Sequence, residues 1–274
     1  GRVGLEMDAS YFTAKSYTRL QSKLPDAEFV DTTLLVNWLR VRKSDREIAY
    51  MEEAARISEE AMLAGIDAIE AGVPEYEVAA EIYDRLIRGT DDYGGDYPAI
   101  VPLMPSGDHT GTPHLTWTDR EFEDGDPVLI ELSGCRHRYH SPLARTAFVG
   151  DPPDAVKRTT DIVVEGIAAA LDAVEPGVTC ERVERAWRET IAQYGVEKED
   201  RIGYSMGLGY PPDWGEHTAS IRPGDETVLE EGMTFHMIPG LWEDEFGVEL
   251  SETFRVTSTG AETLADFPRE LFTV

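Results

Sequence analysis

Residues 125–146 read GDPVLIELSGCRHRYHSPLART. Gly125, Asp126 and Pro127 make a turn signal, Val128 to Leu132 an apolar β-type run, and Glu131 stands inside that run, where a strand would bury it. Burying an unpaired carboxylate costs several kcal/mol, so a buried Glu131 has to be paired, protonated, metal-bound or catalytic. The alternative is a glutamate on the wet face of a half-buried strand, which strict alternation permits.

Outward from this stretch, the chain repeats itself. Ile66 to Val73 (IDAIEAGV) is echoed by Leu171 to Val178 (LDAVEPGV), and an amphipathic helical pattern follows each copy, Glu75 to Ile87 and Cys180 to Tyr194. Each glycine stops one helix before the next begins. The repeat predicts a two-fold pseudo-symmetric α+β domain. Helices over 44–71, 75–89, 153–175 and 179–195 are expected to pack on one face of an antiparallel sheet. Its strands are expected near 97–103, 127–133, 144–149, 201–208, 233–239 and 248–257. Ser44 followed three residues later by Glu47 is a capping box for the first helix.

Residues 1–42 read differently, with a strand at Arg2 to Met7, a helix at Tyr11 to Leu24 and a strand at Phe29 to Leu35. That is too little apolar surface to stand alone. We expect the C-terminal part of a truncated α/β domain at 1–42, followed by the main domain at 43–274.

Composition narrows the partners. With 53 acidic against 25 basic residues and a net charge of −28, the chain is expected to repel nucleic acid and anionic lipid. An acidic excess spread along the whole length also suits a halophilic cytoplasm, where about 1 M salt shortens the Debye length to about 3 Å. The sequence has no basic start leading into an apolar core and no run of about 18 apolar residues, so no membrane association is expected. Cys135 and Cys180 read as reduced buried thiols, and no C-x-x-C or H-x-x-x-H cluster suggests zinc.

The motifs resemble the pita-bread family of creatinases, prolidases and methionine aminopeptidases. Metal-binding members read approximately I-D-L-G-x-x-x-x-G-Y-x-S-D-x-T-R-T-F over the opening stretch, which lays Glu131 on the first metal-binding Asp and Pro142 on the second. Gly203 to Gly207 (GYSMG) covers their G-H-G-I-G, placing Tyr204 on the histidine ligand. Phe235 to Gly240 (FHMIPG) covers F-T-I-E-P-G, and Gly247 to Thr253 (GVELSET) covers G-V-R-I-E-D-T. These place Ile238 and Ser251 on the remaining ligands. Only Glu131 of the five keeps a carboxylate, and Pro, Tyr, Ile and Ser cannot complete a site for two divalent ions. The resemblance therefore implies the pita-bread fold with no metal and no other cofactor, and a homodimer by default.

Within the family, the runs GGDYPAIVPLMPSG, PHLTW, RYHSPLART, GYPPDWGE, MTFHMIPGLW and LSETFRVT are similar to those of ectoine hydrolases, which open a cyclic amidine to N-acetyl-diaminobutyrate. The loop running from Ser106-Gly107 to Pro113-His114 resembles the family's loop for a substrate-contacting histidine, which puts His114 in the site. A zwitterionic amidine wants a carboxylate and aromatic faces around its cation, and a cation near its own carboxylate. Glu131 and Glu252 suit the first need, Tyr97, Trp117, Tyr204, Trp214 and Trp242 the second, and Arg138 or Arg145 the third. Glu131 is the expected nucleophile or general base and His114 the expected proton donor. The competing functions are an X-Pro peptidase with an unusual metal shell and a pita-bread binding module without catalysis.

Overall fold

The computed structural model describes every residue except Glu199 and Asp244. Residues 1–42 carry β1 (Arg2–Leu5), α1 (Ala14–Lys23), β2 (Glu28–Asp31) and α2 (Leu35–Arg40), with β1 and β2 parallel. The second expected strand stops early because Asp31 accepts the Thr33 N–H and hydroxyl, turning the chain, and Leu35 to Arg40 then coils into a helix.

Two helical hairpins dominate the rest, α3 (Asp45–Ala68) with α4 (Glu75–Arg88) and α5 (Asp154–Asp172) with α6 (Cys180–Ala192). The repeated helix, glycine, valine unit is the joint in both. Gly72 lies at φ +87° and Gly177 at φ +96°, a left-handed backbone that a Cβ disfavours. Gly72 N–H donates to the Phe122 carbonyl and Phe122 N–H to that of Val73; Gly177, Leu229 and Val178 repeat the same pair of bonds.

The strands are β3 (Pro127–Arg136), β4 (Tyr139–Phe148), β5 (Gly203–Tyr210), β6 (Asp213–Ile221), β7 (Thr234–Met237), β8 (Gly240–Trp242), β9 (Gly247–Glu249), β10 (Glu252–Thr257), β11 (Gly260–Thr263) and β12 (Phe272–Thr273). The main sheet runs β11-β10-β7-β5-β4-β12, with β3 on β4 and β6 on β5, while β8 and β9 form a separate hairpin. This is the α+β pita-bread architecture, and each half has its own core. Met51, Ile57 and Met62 of α3 pack with Val128, Ile130 and Leu132 of β3. Val163, Ile167 and Trp187 of the second hairpin pack with Phe235 and Phe254.

Two expectations differ. Residues 97–103 form a loop with only a bridge from Leu103 to Glu131, because Pro98 and Pro102 have no N–H for a ladder. Strand β6 escapes pattern reading because DWGEHTASI lacks clean alternation and its pairing with β5 shifts register twice.

Alternation along β3 fixes the orientation that matters. Val128, Ile130 and Leu132 face the helices, so Leu129, Glu131 and Ser133 face the other way, and that face is buried too. The wet-face alternative for Glu131 is thereby excluded.

Lys43 ties the first unit to β6. Its Nζ lies 2.8 Å from both Glu216 carboxylate oxygens and also donates to the Val41 carbonyl, with both charged side chains 1% exposed. Breaking a buried pair from one side leaves an uncompensated charge. Lys43→Met should therefore cost about 3–5 kcal/mol in denaturant unfolding, and Lys43→Met/Glu216→Met clearly less. A double variant as unstable as the single would show that the pair itself, rather than the orphaned charge, sets the cost.

Candidate active site

Glu131 is 4% exposed and its Oε2 has no hydrogen-bond partner. It forms part of the wall of a cavity of about 840 Å³, together with His114, Arg201, Tyr204, Trp242 and Glu249. Burial pushes the Glu131 carboxyl well above the usual carboxylate range, and the negative charges of Glu249 and Asp213 push the same way. Glu249, at the end of β9, is itself buried and raised to about 7, with Lys198 pulling it partly back. Two carboxyls sharing one buried cavity cannot both ionise cheaply, so near neutrality the pair retains a proton.

His114 follows the 3-10 turn at Gly107–Gly111, and its Nε2 lies 4.0 Å from Glu131 Oε2. That gap is too long for a hydrogen bond. His114 holds φ at +65°, a left-handed conformation that non-glycine residues keep only where surroundings impose it, commonly at functional sites. Partial burial and the charge of Arg201 lower its imidazole below the ordinary value, which favours the neutral ring. In the free protein it is therefore a proton acceptor rather than the expected donor.

Behind this wall runs a buried hydrogen-bond chain. Ala144 N–H donates to Ser251 Oγ at 2.7 Å, Ser251 Oγ lies 2.8 Å from His236 Nε2, and His236 Nδ1 lies 3.0 Å from Tyr204 Oη. Trp214 Nε1 donates to the same Tyr204 oxygen at 2.9 Å. Burial lowers His236 to about 3, so it is neutral and carries one N–H. Ser251 is fully buried with no other acceptor for its proton among the described residues, so its hydroxyl donates to Nε2 and Nδ1–H donates to Tyr204. Tyr204 Oη then accepts twice, and its own proton is free to point into the cavity.

Four of the expected site residues thus converge on one cavity: Glu131, His114, Tyr204 and Trp242. The others do not. Glu252 is 1% exposed and held by Arg145 at 2.8 Å and Arg269 at 3.0 Å, a structural ion pair with no charge to spare. Arg145 spends its remaining donors on the carbonyls of Ala144, Ser251, Phe267 and Pro268. Arg138 is clamped between the rings of Tyr97 and Tyr210 and donates to the Tyr97 and Gly209 carbonyls, which also takes Tyr97 out of the site. Trp117 packs edge-on to Tyr83 beside the first core. Trp214 serves Tyr204 from behind with its N–H instead of offering a face.

Glu249, Arg201 and Lys198 are site residues that sequence reasoning missed. Lys198 Nζ sits 4.0 Å from the centre of the Trp242 ring and donates to the Gly240 carbonyl at 2.6 Å. A signal existed for Glu249, since GVELSET puts an acid where the family pattern has Arg. Nothing in the spacing around Arg201 or Lys198 marks them.

The profile of metallopeptidase family M24 matches residues 49–258, and that of the creatinase/prolidase N-terminal domain matches residues 1–42. The chain belongs to metallopeptidase family M24. It is a hydrolase acting on carbon–nitrogen bonds. It is 44% identical to the ectoine hydrolase of Halomonas elongata over 278 residues, covering 99% of this chain and 70% of that protein. An uncharacterized hydrolase/peptidase of Sinorhizobium fredii is 47% identical over 98% of this chain and 69% of its own length. Among solved structures, the Xaa-Pro dipeptidase from Bacillus anthracis superposes with a TM-score of 0.88 at 29% identity, covering 100% of this chain and 74% of that one.

The donor set does not fit the two-metal centre of metal-binding M24 members. Glu131 faces the cavity, but Pro142 has no ligand atom and Ile238 presents a hydrocarbon. Ser251 and Tyr204 are committed to His236. Among the described residues, no three His, Cys, Asp or Glu side chains are grouped to hold an ion.

The raised Glu249 carboxyl has a cost in stability. Its folded value lies above the ordinary 4.5, so the stabilising proton is fully present below about 4.5 and its contribution is lost as pH rises through about 7. Glu249→Gln keeps the shape without the ionisation. At pH 8 it should be more stable than the parent by on the order of 3 kcal/mol, a gap that closes toward pH 5 in paired thermal melts. A gap independent of pH would show that Glu249 is not a buried carboxyl with a raised pKa.

Proposed function

We propose that this enzyme opens the cyclic amidine ring of ectoine by hydrolysis, without a metal ion. The observation that carries the reading is the bare Oε2 of Glu131, buried in a cavity where the other family ligand positions supply no metal donors. The similarity to the Halomonas elongata ectoine hydrolase supports the same substrate. X-Pro dipeptide hydrolysis, the activity named for similar solved structures, would need the ions that this donor set does not suit.

The amidinium carbon lies between two nitrogens and is the electrophile. An incoming cation favours the ionised form of Glu131, leaving the pair's proton on Glu249. A Glu131 oxygen bonds to the amidinium carbon while the C=N π pair moves onto one ring nitrogen. That nitrogen takes the Glu249 proton and departs with the C–N pair as a primary amine, and the lone pair of the second nitrogen forms a new C=N⁺ bond. Water then attacks the same carbon. His114 accepts one water proton at Nε2 and passes it to the amine, and the other water proton returns to Glu249 as the C–O bond to Glu131 breaks. The products are an amide and an ammonium group, and the enzyme is restored. The alternative route has Glu131 deprotonate a water that attacks directly. In both, the Tyr204 hydroxyl, which lines the cavity, donates a hydrogen bond toward the reacting atoms.

The test is incubation of the purified protein with ectoine and with an X-Pro dipeptide, each with and without chelator. Ectoine should be opened at a rate that chelator leaves unchanged; cleavage of the dipeptide alone, abolished by chelator, would overturn the reading. Glu131→Gln should lower turnover by about 100-fold or more. An adduct on the Glu131 peptide in protein quenched during turnover would favour direct attack over activated water. The pH dependence of kcat/KM has a definite sign. Productive binding requires Glu131 to be ionised, so kcat/KM should fall as pH drops, with a midpoint above the ordinary glutamate range because burial and Glu249 raise that carboxyl.

A further inference from the structure

We infer that Arg201 is the anchor for the substrate's carboxylate and so decides that the enzyme takes zwitterionic amidines rather than simple amidinium cations. The inference rests on the reading of the cavity as an amidine hydrolase site and adds what the rest of the substrate must be. Arginine side chains elsewhere in the protein commonly engage a carboxylate: Arg42 pairs with Glu230, Arg88 with Asp84, Arg120 with Asp126 and Arg136 with Glu53. Such pairing is expected where acids outnumber bases 53 to 25. Arg201 differs. Its guanidinium faces the cavity, 4.9 Å from the centre of the Tyr204 ring, and forms no ion pair or side-chain hydrogen bond with any described residue.

Two nearby acids among the described residues are otherwise engaged. Asp200 accepts the backbone N–H of Arg201. Asp213 accepts the Gly215 N–H at 2.8 Å and lies 3.0 Å from His217 Nε2.

The cavity holds charges of both signs. Glu131 and Arg201 line it together with Tyr204, the Arg201 guanidinium lies over the Tyr204 ring, and Tyr204 feels the charge of both. A small zwitterion laid across that ring would present its amidinium to Glu131 and its carboxylate to Arg201. Lys198 does not compete for the role, because it is already bonded to the Gly240 carbonyl and stacked on Trp242 beside Glu249. A guanidinium fork matches a carboxylate with two parallel hydrogen bonds, which a substrate lacking that group forfeits.

The experiment pairs two ligands with two proteins. The ligands are ectoine and the same ring without its carboxylate, 2-methyl-1,4,5,6-tetrahydropyrimidine; the proteins are the parent and Arg201→Met. The parent should favour ectoine by about 10- to 100-fold in kcat/KM, the range of a charge-assisted hydrogen-bonded pair. Arg201→Met should lose about that factor on ectoine, mostly through KM, and change the decarboxylated ring by less than about threefold. Arg201→Lys should recover part of the loss, because it restores the charge without the fork. Calorimetric binding of both ligands in a Glu131→Gln background repeats the comparison without chemistry. Equal losses on both ligands would mean that Arg201 merely supports the fold, and an undiminished preference for ectoine in Arg201→Met would overturn the anchor. If the parent opens both rings equally well, the amidine hydrolase reading stands and the anchor falls. If ectoine is neither bound nor opened, both fall.

Discussion

The molecule is built around a buried carboxyl, Glu131, whose Oε2 has no hydrogen-bond partner among the described residues. Glu131 occupies the middle of a strand that is buried on both faces, with α3 packed on one side and the second half of the molecule closing the other. His114 Nε2 is 4.0 Å from that Oε2, and Glu249 adds a second acid to the same wall. Such an arrangement opposes folding and persists only because two extended hydrophobic cores outweigh it. A group that lacks a partner in the free protein is one that a cationic ligand can complete, so the energy withheld from folding becomes available for binding.

The strand and its neighbours were legible because local chemistry specified them. The turn at Gly125 to Pro127, the apolar run after it and the paired glycines at 72 and 177 each obey rules that operate over a few residues. Glu131 stood out as an acid inside an apolar run, and Tyr204 and Trp242 belong to motifs that return to the same cavity. The misassigned residues fail for a shared physical reason. Glu252, Arg138 and Arg145 are charged side chains whose use depends on partners far along the chain: Arg269 and Arg145 for Glu252, Tyr97 and Tyr210 for Arg138, four backbone carbonyls for Arg145. No local pattern distinguishes an arginine that stitches loops together from one that waits for a ligand. Trp214 does not line the cavity and reaches it only through its N–H bond to Tyr204; pattern reading cannot tell which edge of an indole is presented.

The overall acidity of the chain and the polarity of its cavity are separate matters. An excess of acid on the surface sets solubility and repels polyanions. Inside the cavity, Glu131, Glu249, Lys198 and Arg201 line the walls together with His114 and Tyr204, so both signs of charge face a ligand there. Groups that line the cavity act on a bound ligand at short range, where they are screened less than surface charges farther away.

The residues at the former ligand positions do more than lack donor atoms. Ser251 and Tyr204, two of those positions, are joined through His236 into one hydrogen-bonded line that begins at the Ala144 backbone and ends at a phenol proton facing the cavity. Each step follows from the one before: the Ala144 N–H occupies the serine oxygen, the serine proton must therefore go to Nε2, and the imidazole proton must go to the tyrosine. A divalent ion at this place would polarise an oxygen with its charge. Here the same ground is occupied by a fixed neutral donor, oriented by backbone geometry and stiffened by Trp214. Such a donor stabilises charge that develops during reaction without first attracting an anionic ground state, which suits a cationic substrate better than a metal would: two cations would repel, whereas a phenol and a carboxylate on the same wall do not. On the proposed reading, the missing metal donors and the binding of an amidinium are two sides of one electrostatic arrangement, carried by Glu131, Tyr204, Glu249 and Ser251.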